Sequence, residues 1–346
     1  MSLRKAIGEA VQGHEVPAPL LEAAFAEIVG GDASEAEIAG LLVALRTKGE
    51  TVGEIVAAAR ALRAHADTAE ADPRAVDTCG TGGDGADTFN ISTAAAFVVA
   101  GAGVPVAKHG NRSASSRCGS IDVLEGLGVR VELSTAESAS LLAEVGVAPF
   151  FARRAHPAMR HVAPVRAALG IRTLMNCLGP LLNPVGARYQ LVGVYDAGLV
   201  EPLAEALGRL GAVRALVVHG EDGLDEITTT GPTRAALYRE GEVEAQTLTP
   251  EEAGLSRAQA SDLKGGDLEE NVAAIRAILG GELGPRRDIV VANAGAALWV
   301  AGTATDWQAG VVQAGESLAS GAASARLDAL VRASQLSQVS REGASS

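Results

Sequence analysis

Three clusters of residues in this chain have the types and spacing to hold an anion or the cation that balances one. The first is Asp77-Thr78-Cys79-Gly80-Thr81-Gly82-Gly83-Asp84-Gly85. It follows a short apolar approach, Ala75-Val76, and precedes a helix-like run from Ile91 to Ala100. Strand, glycine-rich loop and helix, in that order, turn backbone N–H groups toward an anion at a helix N-terminus. Gly80, Gly82, Gly83 and Gly85 permit the positive φ angles such a loop uses. Asn90, Ser92 and Thr93 add small polar side chains at the helix start. No Gly-Lys-Ser/Thr follows, so this is not a Walker loop. By itself the segment is equally compatible with an ordinary tight βα turn.

The second cluster, Lys108-His109-Gly110-Asn111-Arg112-Ser113-Ala114-Ser115-Ser116, ends the short buried strand Val104–Ala107. Lys108 and Arg112 offer charge, and Asn111, Ser113, Ser115 and Ser116 offer neutral hydrogen bonds, the donor-rich mixture that a phosphate or diphosphate requires. A solvated loop carrying surface cations is the alternative, less attractive beside a glycine-rich anion loop. Both clusters lie at strand carboxyl ends, where open α/β sheets bind ligands. The third cluster, His219-Gly220-Glu221-Asp222-Gly223-Leu224-Asp225-Glu226, follows the strand Ala215–Val218. Four carboxylates packed so closely repel one another unless a cation compensates. Solvent alone suffices on an exposed loop, a strong reading for Glu221 and Asp222. No His/Cys spacing suggests zinc. His109 and His219 read as hydrogen-bonded loop residues rather than metal ligands. Cys79 reads as a small half-buried residue at a strand end, not a nucleophile.

These segments, together with His156-Pro157-Ala158-Met159-Arg160, Pro164-Val165-Arg166, Leu169-Gly170-Ile171-Arg172-Thr173, Asn176 to Pro184 and Gly223–Glu226, resemble those of the anthranilate phosphoribosyltransferases, in that family's order and from about Leu3 to Leu336. The stretch from Arg166 to Pro184 is the most specific piece, since glycine loops and Lys-His pairs also occur in pyrimidine nucleoside phosphorylases. The resemblance implies transfer of a phosphoribosyl group from phosphoribosyl diphosphate to the amine of anthranilate, on the route to tryptophan. It implies phosphoribosyl diphosphate contacts from Gly80, Gly83, Asp84, Thr88, Asn90, Ser92, Thr93, Ser120 and the run Lys108, His109, Gly110, Asn111, Arg112, Ser113, Ala114, Ser115, Ser116. It assigns anthranilate contacts to Gly80, Asn111 and Arg166, and Mg2+ to Ser92, Asp225 and Glu226. Arg166 has a physical warrant as well, because a planar guanidinium suits a carboxylate. No obligatory acid or base is implied, since an aromatic amine carries a free lone pair near neutral pH. A phosphorylase would use inorganic phosphate and need neither the acidic pair nor Arg166. A non-catalytic nucleic-acid-binding relative is disfavoured by the net charge of −13.

The elements that must position these clusters form two patterns. From Leu3 to Ala66 the chain reads as helices: Leu20, Leu21, Ala24, Phe25 and Ile28 recur at helical spacing, and Ser34–Glu37 and Thr51 open two more. A polar linker, Asp67–Arg74, follows. Beyond it strand and helix alternate, with strands expected at Ala75–Cys79, Pro105–Lys108, Arg130–Glu132, Ala148–Phe151, Gln190–Tyr195 and Arg214–His219. A helix is expected at Thr135–Val145, a hairpin over Arg234–Tyr238 and Val243–Leu248, and two helices between Ala309 and Ser334. The fold class expected is α/β with a mainly parallel central sheet, and the resemblance implies its arrangement as a small all-helical domain plus a larger α/β domain, of the nucleoside phosphorylase and phosphoribosyltransferase kind. The expected division is 1–70, joined by part of 167–188, against 75–166 with 189–346. An apolar content of 47% supports a substantial core. Cys79, Cys118 and Cys177 form no Cys-x-x-Cys pair, which suggests a reducing compartment. The N-terminus lacks an apolar signal core and no run of ~20 apolar residues spans a membrane, so the expected location is cytoplasmic. The resemblance implies a homodimer through the helical domain, for which Leu3, Ile7 and Val11 on the first helix are available unless they pack internally.

Overall fold

The computed structural model describes residues 2–113 and 117–342. Four helices come first: α1 (Ser2–Val11), α2 (Ala18–Gly30), α3 (Glu35–Lys48) and α4 (Val52–Ala64). Ser34 with Glu37 and Thr51 with Glu54 close reciprocal capping boxes that start α3 and α4. Glu54 is buried and does more than cap. It also pairs with Lys48 at 2.9 Å and accepts the Val16 N–H, tying the α1–α2 connection to α4.

The alternating part runs β1 (Val76–Asp77), α5 (Ile91–Gly101), β2 (Val106–Gly110), α6 (Ser120–Gly126), α7 (Thr135–Val145) and β3 (Val147–Phe151). Short helices follow: α8 (Ala152–Ala155), α9 (Ala163–Leu169) and α10 (Met175–Leu178), with 3-10 turns at Pro157–His161 and Gly179–Leu182. Then come β4 (Tyr189–Gly193), α11 (Val200–Arg209), β5 (Arg214–Gly220), β6 (Thr233–Arg239), β7 (Glu242–Leu248), α12 (Leu268–Leu279), α13 (Pro285–Val300), α14 (Trp307–Ala319) and α15 (Ala322–Glu342). The seven strands lie in the order β3-β2-β1-β4-β5-β6-β7. β1 to β5 are mutually parallel, and β6 and β7 form the expected antiparallel hairpin at the edge. The chain steps outward from β1 to β3 and then returns to β1's other side as β4. That reversal creates a crevice at the strands' carboxyl ends.

Two expectations need correction. Arg130–Glu132 is not a strand. Val129, Val131 and Leu133 are buried in alternation, as a strand would be, but the Arg130 N–H donates to Ser334 Oγ of α15 at 3.1 Å instead of to a neighbouring strand. Extended chain packed under a helix gives the same alternation as a ladder. The expected strand Ala75–Cys79 is paired only over Val76 and Asp77, because side chains take over the hydrogen bonding beyond that point.

One hydrophobic core surrounds α5 and α13 on one side of the sheet. The other contains α1–α4, residues Val162 to Leu182 of the short-helix stretch, α11, and Val192, Val194, Ala215, Val217 and Ala236 of the sheet. Arg63 of α4 stitches this second core, donating to Leu181 O at 2.6 Å and Leu210 O at 3.0 Å. Burial pushes its guanidinium down to about 10. No described helix is long and apolar enough to cross a membrane.

The third cluster is held from below by Asn293 of α13. Its side chain donates to Ile227 O and Ile289 O and accepts the Ile227 N–H, each at 2.9 Å. Asn293→Ala leaves both backbone groups of Ile227 buried without partners, at a cost of about 1–3 kcal/mol each. Urea unfolding is expected to show roughly 2–5 kcal/mol lost; a loss under about 1 kcal/mol would mean that Ile227 finds other partners.

Candidate active site

A cleft of about 400 Å³ opens over the carboxyl ends of β1, β2 and β5. Every described residue that the sequence singled out for binding lines it. Gly80, Gly83, Asp84, Thr88, Asn90, Ser92 and Thr93 come from the loop and helix after β1. Lys108, His109, Gly110, Asn111, Arg112 and Ser113 come from β2 and the loop after it, Ser120 from the start of α6, Arg166 from α9, and Asp225 and Glu226 from the loop after β5. Ala114, Ser115 and Ser116 lie outside the described residues.

The glycine-rich loop takes left-handed backbone angles at Gly82 (φ 66), Gly83 (φ 77) and Gly85 (φ 74), which side chains disfavour. Thr81 N donates to Gly193 O at 2.9 Å and Gly82 N to Asp225 Oδ2 at 2.7 Å. The N–H groups of Gly83, Asp84 and Gly85 have no acceptor among the described residues. Three free amides in succession form an anion-binding concavity. Gly80 must remain small, because a Cβ there would lie 2.9 Å from Asp225 Oδ2. Gly193, which the sequence did not single out, has the stricter requirement: its Cβ would fall 1.5 Å from Asp225 O. β4 thus lets the acidic loop cross its end at van der Waals distance.

Lys108 is buried on β2, and its ammonium donates to Thr78 O at 3.1 Å and to the Thr78 and Ser92 hydroxyls at 3.4 Å. Arg112 differs. Its guanidinium pairs with Asp122 at 3.0 Å and Glu125 at 2.8 Å and lies over the Phe151 ring. Its charge is therefore already compensated. Asn90 Nδ2 reaches Cys118 O at 3.0 Å, joining the helix start to the second loop, while its buried Oδ1 has no partner among the described residues. Thr88 bridges to Lys264, and Ser120 Oγ donates to Asn111 O at 3.4 Å. Arg166 makes no hydrogen bond or ion pair among the described residues, and burial lowers its pKa.

His109 departs from the loop-residue expectation, whereas His219 sits in its expected strand and is hydrogen-bonded as expected. His109 lies within β2, buried, its ring edge-on to His156 at 5.4 Å. Burial first, then His156, pushes it down to about 3, so it is neutral and serves as wall. His219 lies within β5 with Nδ1 2.7 Å from Val194 O. Cys79 is half-buried as expected, and burial together with the nearby Asp77 carboxylate raises its thiol pKa.

Asp225, Glu226 and Asp84 share one corner. Asp84 Oδ2 accepts the Asp225 N–H at 3.4 Å, and Glu226 Oε1 accepts the Ser92 N–H at 3.1 Å. Burial, then Asp84 and Glu226, raise Asp225 well above the usual range. Burial pushes Glu226 up to about 7 against the opposing pull of Lys108. Crowded carboxylate oxygens, with the Ser92 hydroxyl beside them, fit a hard divalent cation such as magnesium.

Some lining residues were not assigned from the sequence: Thr81, Asp87, Phe89, Cys118, Ala152, Met175, Asn176 and Gly179. Met175, Asn176 and Gly179 sit inside or beside the Asn176–Pro184 motif, the only signal for them. Nothing in the sequence pointed to Ala152.

Two family models cover most of the chain: the helical bundle domain of a glycosyl transferase family over residues 4–66 and its α/β domain over residues 72–324. A protein of Rhodospirillum rubrum named anthranilate phosphoribosyltransferase is 56% identical over 322 residues, 91% of this chain and 93% of the relative. The crystal structure of the anthranilate phosphoribosyltransferase of Thermus thermophilus superimposes with a TM-score of 0.91 at 46% identity, covering 95% of this chain and 99% of that one. The Saccharomyces cerevisiae protein of the same name, solved in complex with PRPP and Mg, gives a TM-score of 0.88 at 26% identity, covering 96% and 98%.

The acidic corner yields a signed pH prediction. Unfolded, Glu226 ionises near ~4.3; folded, near about 7. The stability this group allows is complete below the unfolded value and is lost as pH rises through about 7. A bound cation reverses that loss. Magnesium is expected to raise the Tm by several degrees near pH 8 and hardly at all near pH 5, and the double variant Asp225→Asn, Glu226→Gln should erase the difference. A magnesium shift that is equal at both pH values would place the cation elsewhere.

Proposed function

The chain belongs to the anthranilate phosphoribosyltransferases, and on that footing we propose that it transfers the phosphoribosyl group of phosphoribosyl diphosphate to the amine of anthranilate. The products are N-(5-phosphoribosyl)anthranilate and diphosphate. The observation that carries this reading is the pairing, in one cleft, of three free loop amides with an acidic corner and an unpaired arginine.

The residues divide the work. The Gly83–Gly85 amides, Asn90, Thr93 and Lys108 hold the phosphates and ribose, with Asn111, Ser113 and Ser120 beside them. Magnesium, held through Asp225, Glu226 and the Ser92 hydroxyl, would neutralise charge on the departing diphosphate. As the bond from C1 to the diphosphate oxygen breaks, C1 becomes oxocarbenium-like and the anthranilate nitrogen forms the new bond, then gives its proton to the departing diphosphate or to water. The protein's part is to fix the two reactants in line and to match the developing charge. Arg166 addresses the acceptor's carboxylate, with Gly80 and Asn111 bounding the ring. No side chain is required as an obligatory base. His109, held neutral, contributes shape and backbone.

We also propose two bodies about the cleft, 1–70 with part of 167–188 and 75–166 with 189–346, and a homodimer through the first. Leu3 is buried internally, but Val11 is 71% exposed, and Val43 of the neighbouring α3 is 37% exposed. Sedimentation at micromolar concentration is expected to give a dimer, and Val11→Asp should shift it toward monomer. A monomeric wild-type protein would remove the dimer.

Loss of anthranilate fluorescence on adding phosphoribosyl diphosphate and magnesium tests the activity. In the same assay Arg166→Ala should raise the anthranilate KM about 10- to 100-fold, the worth of a charge-assisted pair at roughly 1.5–3 kcal/mol. The KM for phosphoribosyl diphosphate should change far less. Arg166→Lys should recover only part, since an ammonium lacks the planar fork. Equal changes in both KM values would move the acceptor site away from Arg166.

A further inference from the structure

The glycine-rich loop is anchored at both ends by the α/β framework. Thr81 and Gly82 bond to Gly193 and Asp225, and further on Gly265 N donates to Asp87 O at 2.8 Å. Between them stands Gly83, at the exposed turn whose following amides are free. Its carbonyl accepts a hydrogen bond from one side chain, the Arg172 guanidinium. Arg172 comes from the segment between α9 and α10, remote in sequence from the loop and six residues past Arg166. Its guanidinium lies over the Tyr195 ring, 4.0 Å from the centroid. Tyr195 in turn donates its backbone N–H to Thr81 Oγ1 at 3.1 Å. The contacts thus close a circuit: Gly83 O, Arg172, the Tyr195 ring, the Tyr195 N–H, Thr81, and back into the loop.

We propose that Arg172, clasped between the Tyr195 ring and the Gly83 carbonyl, is the positioning residue that aims the loop amides of Gly83, Asp84 and Gly85 at the diphosphate. Fixing a carbonyl fixes the peptide plane that carries the next N–H, here that of Asp84. Restraining Gly83 O therefore orients an amide in the middle of the free series. Glycine at 82, 83 and 85 leaves the loop many alternative conformations, so an external restraint is worth most here. The ring determines where the guanidinium can lie, because a planar cation stacks on an aromatic face. Because Arg172 shares a short stretch with Arg166, the clasp also joins the acceptor side of the cleft to its diphosphate side. The inference rests on the proposed reaction for its ligand but not for its geometry.

Two measurements test it separately. Hydrogen exchange of the ligand-free protein reads the clasp alone. Arg172→Ala and Tyr195→Leu should each speed exchange in a peptide spanning residues 80–88, while Tyr195→Phe, which keeps the ring, should leave it unchanged. Calorimetric titration with phosphoribosyl diphosphate and magnesium reads the consequence. Arg172→Ala and Tyr195→Leu should weaken binding about tenfold, the double variant should be no worse than either single one, and Arg172→Lys should fall between. The anthranilate KM should move less than that for phosphoribosyl diphosphate. Unchanged loop exchange in Arg172→Ala, or full additivity of the two substitutions, overturns the clasp. Should the wild type bind no phosphoribosyl diphosphate, the proposed reaction falls, and the exchange experiment still decides the clasp.

Discussion

The cleft exists because β1 and β2 part company at Asp77. The two strands pair at Val76 and Val106 and then separate. From there, side chains replace the ladder. His109 N donates to Asp77 Oδ1 at 3.2 Å, where a continuing β1 would have offered a carbonyl, and the Lys108 ammonium takes Thr78 O. Asn183, returning from the short-helix stretch, donates to both Asp77 Oδ2 and Ala107 O at 2.8 and 2.9 Å. Buried backbone groups must find partners, and this arrangement supplies them while letting the chain after Asp77 diverge into the glycine loop. A carboxylate so deeply buried is costly. Burial pushes Asp77 up to about 6, and the Lys108 charge offsets part of that.

From that parting follows the charge layout of the cleft. Lys108 is pulled in on the Asp77 side and points across Ser92 toward Glu226. Ser92 is the hinge of the arrangement: its N–H binds Glu226 and its hydroxyl lies 3.4 Å from Lys108. On the other side the acidic loop reaches the glycine loop because Gly193 lets it pass. Cation and carboxylates thus lie on either side of Ser92, in the same cleft as the free amides of Gly83–Gly85. The β5 strand that presents the acidic loop is braced by β6 and β7 on its far edge and by Asn293 of α13.

How much of this could be read from the sequence depended on range. Local devices were legible: the helix starts at Ser34 and Thr51, the β6–β7 hairpin, and the glycine loop with its helix. The loop clusters at strand ends were legible as donors and acceptors, and resemblance told which of them belong together. Long-range partners were not legible. Nothing near Arg172 in sequence points to Gly83 or Tyr195, nothing near Gly193 tells that the Asp225 carbonyl will pass it, and nothing near Arg112 tells that Asp122 and Glu125 claim its charge. Arg130–Glu132 failed for a different reason: periodicity reports one buried face, and α15 buries that face as well as a strand would.

The charge inventory of the cleft constrains how its ligands enter. Arg112 is neutralised within the protein, Arg166 stands on α9 and Arg172 is held on the Gly83 carbonyl, so Lys108 is the buried cation set against Asp84, Asp225 and Glu226. A bare diphosphate approaching this corner meets carboxylates at short range in a medium where Coulomb energies are several times larger than in water. A bare divalent cation meets welcoming carboxylates but leaves the free amides of the glycine loop empty. Only the two together satisfy both halves. On the proposed reading, the corner therefore favours a diphosphate that arrives with its cation over a bare one. On the proposed reading the acceptor is treated differently: Arg166, which makes no ion pair among the described residues, would take its carboxylate from α9 rather than from the acidic loop.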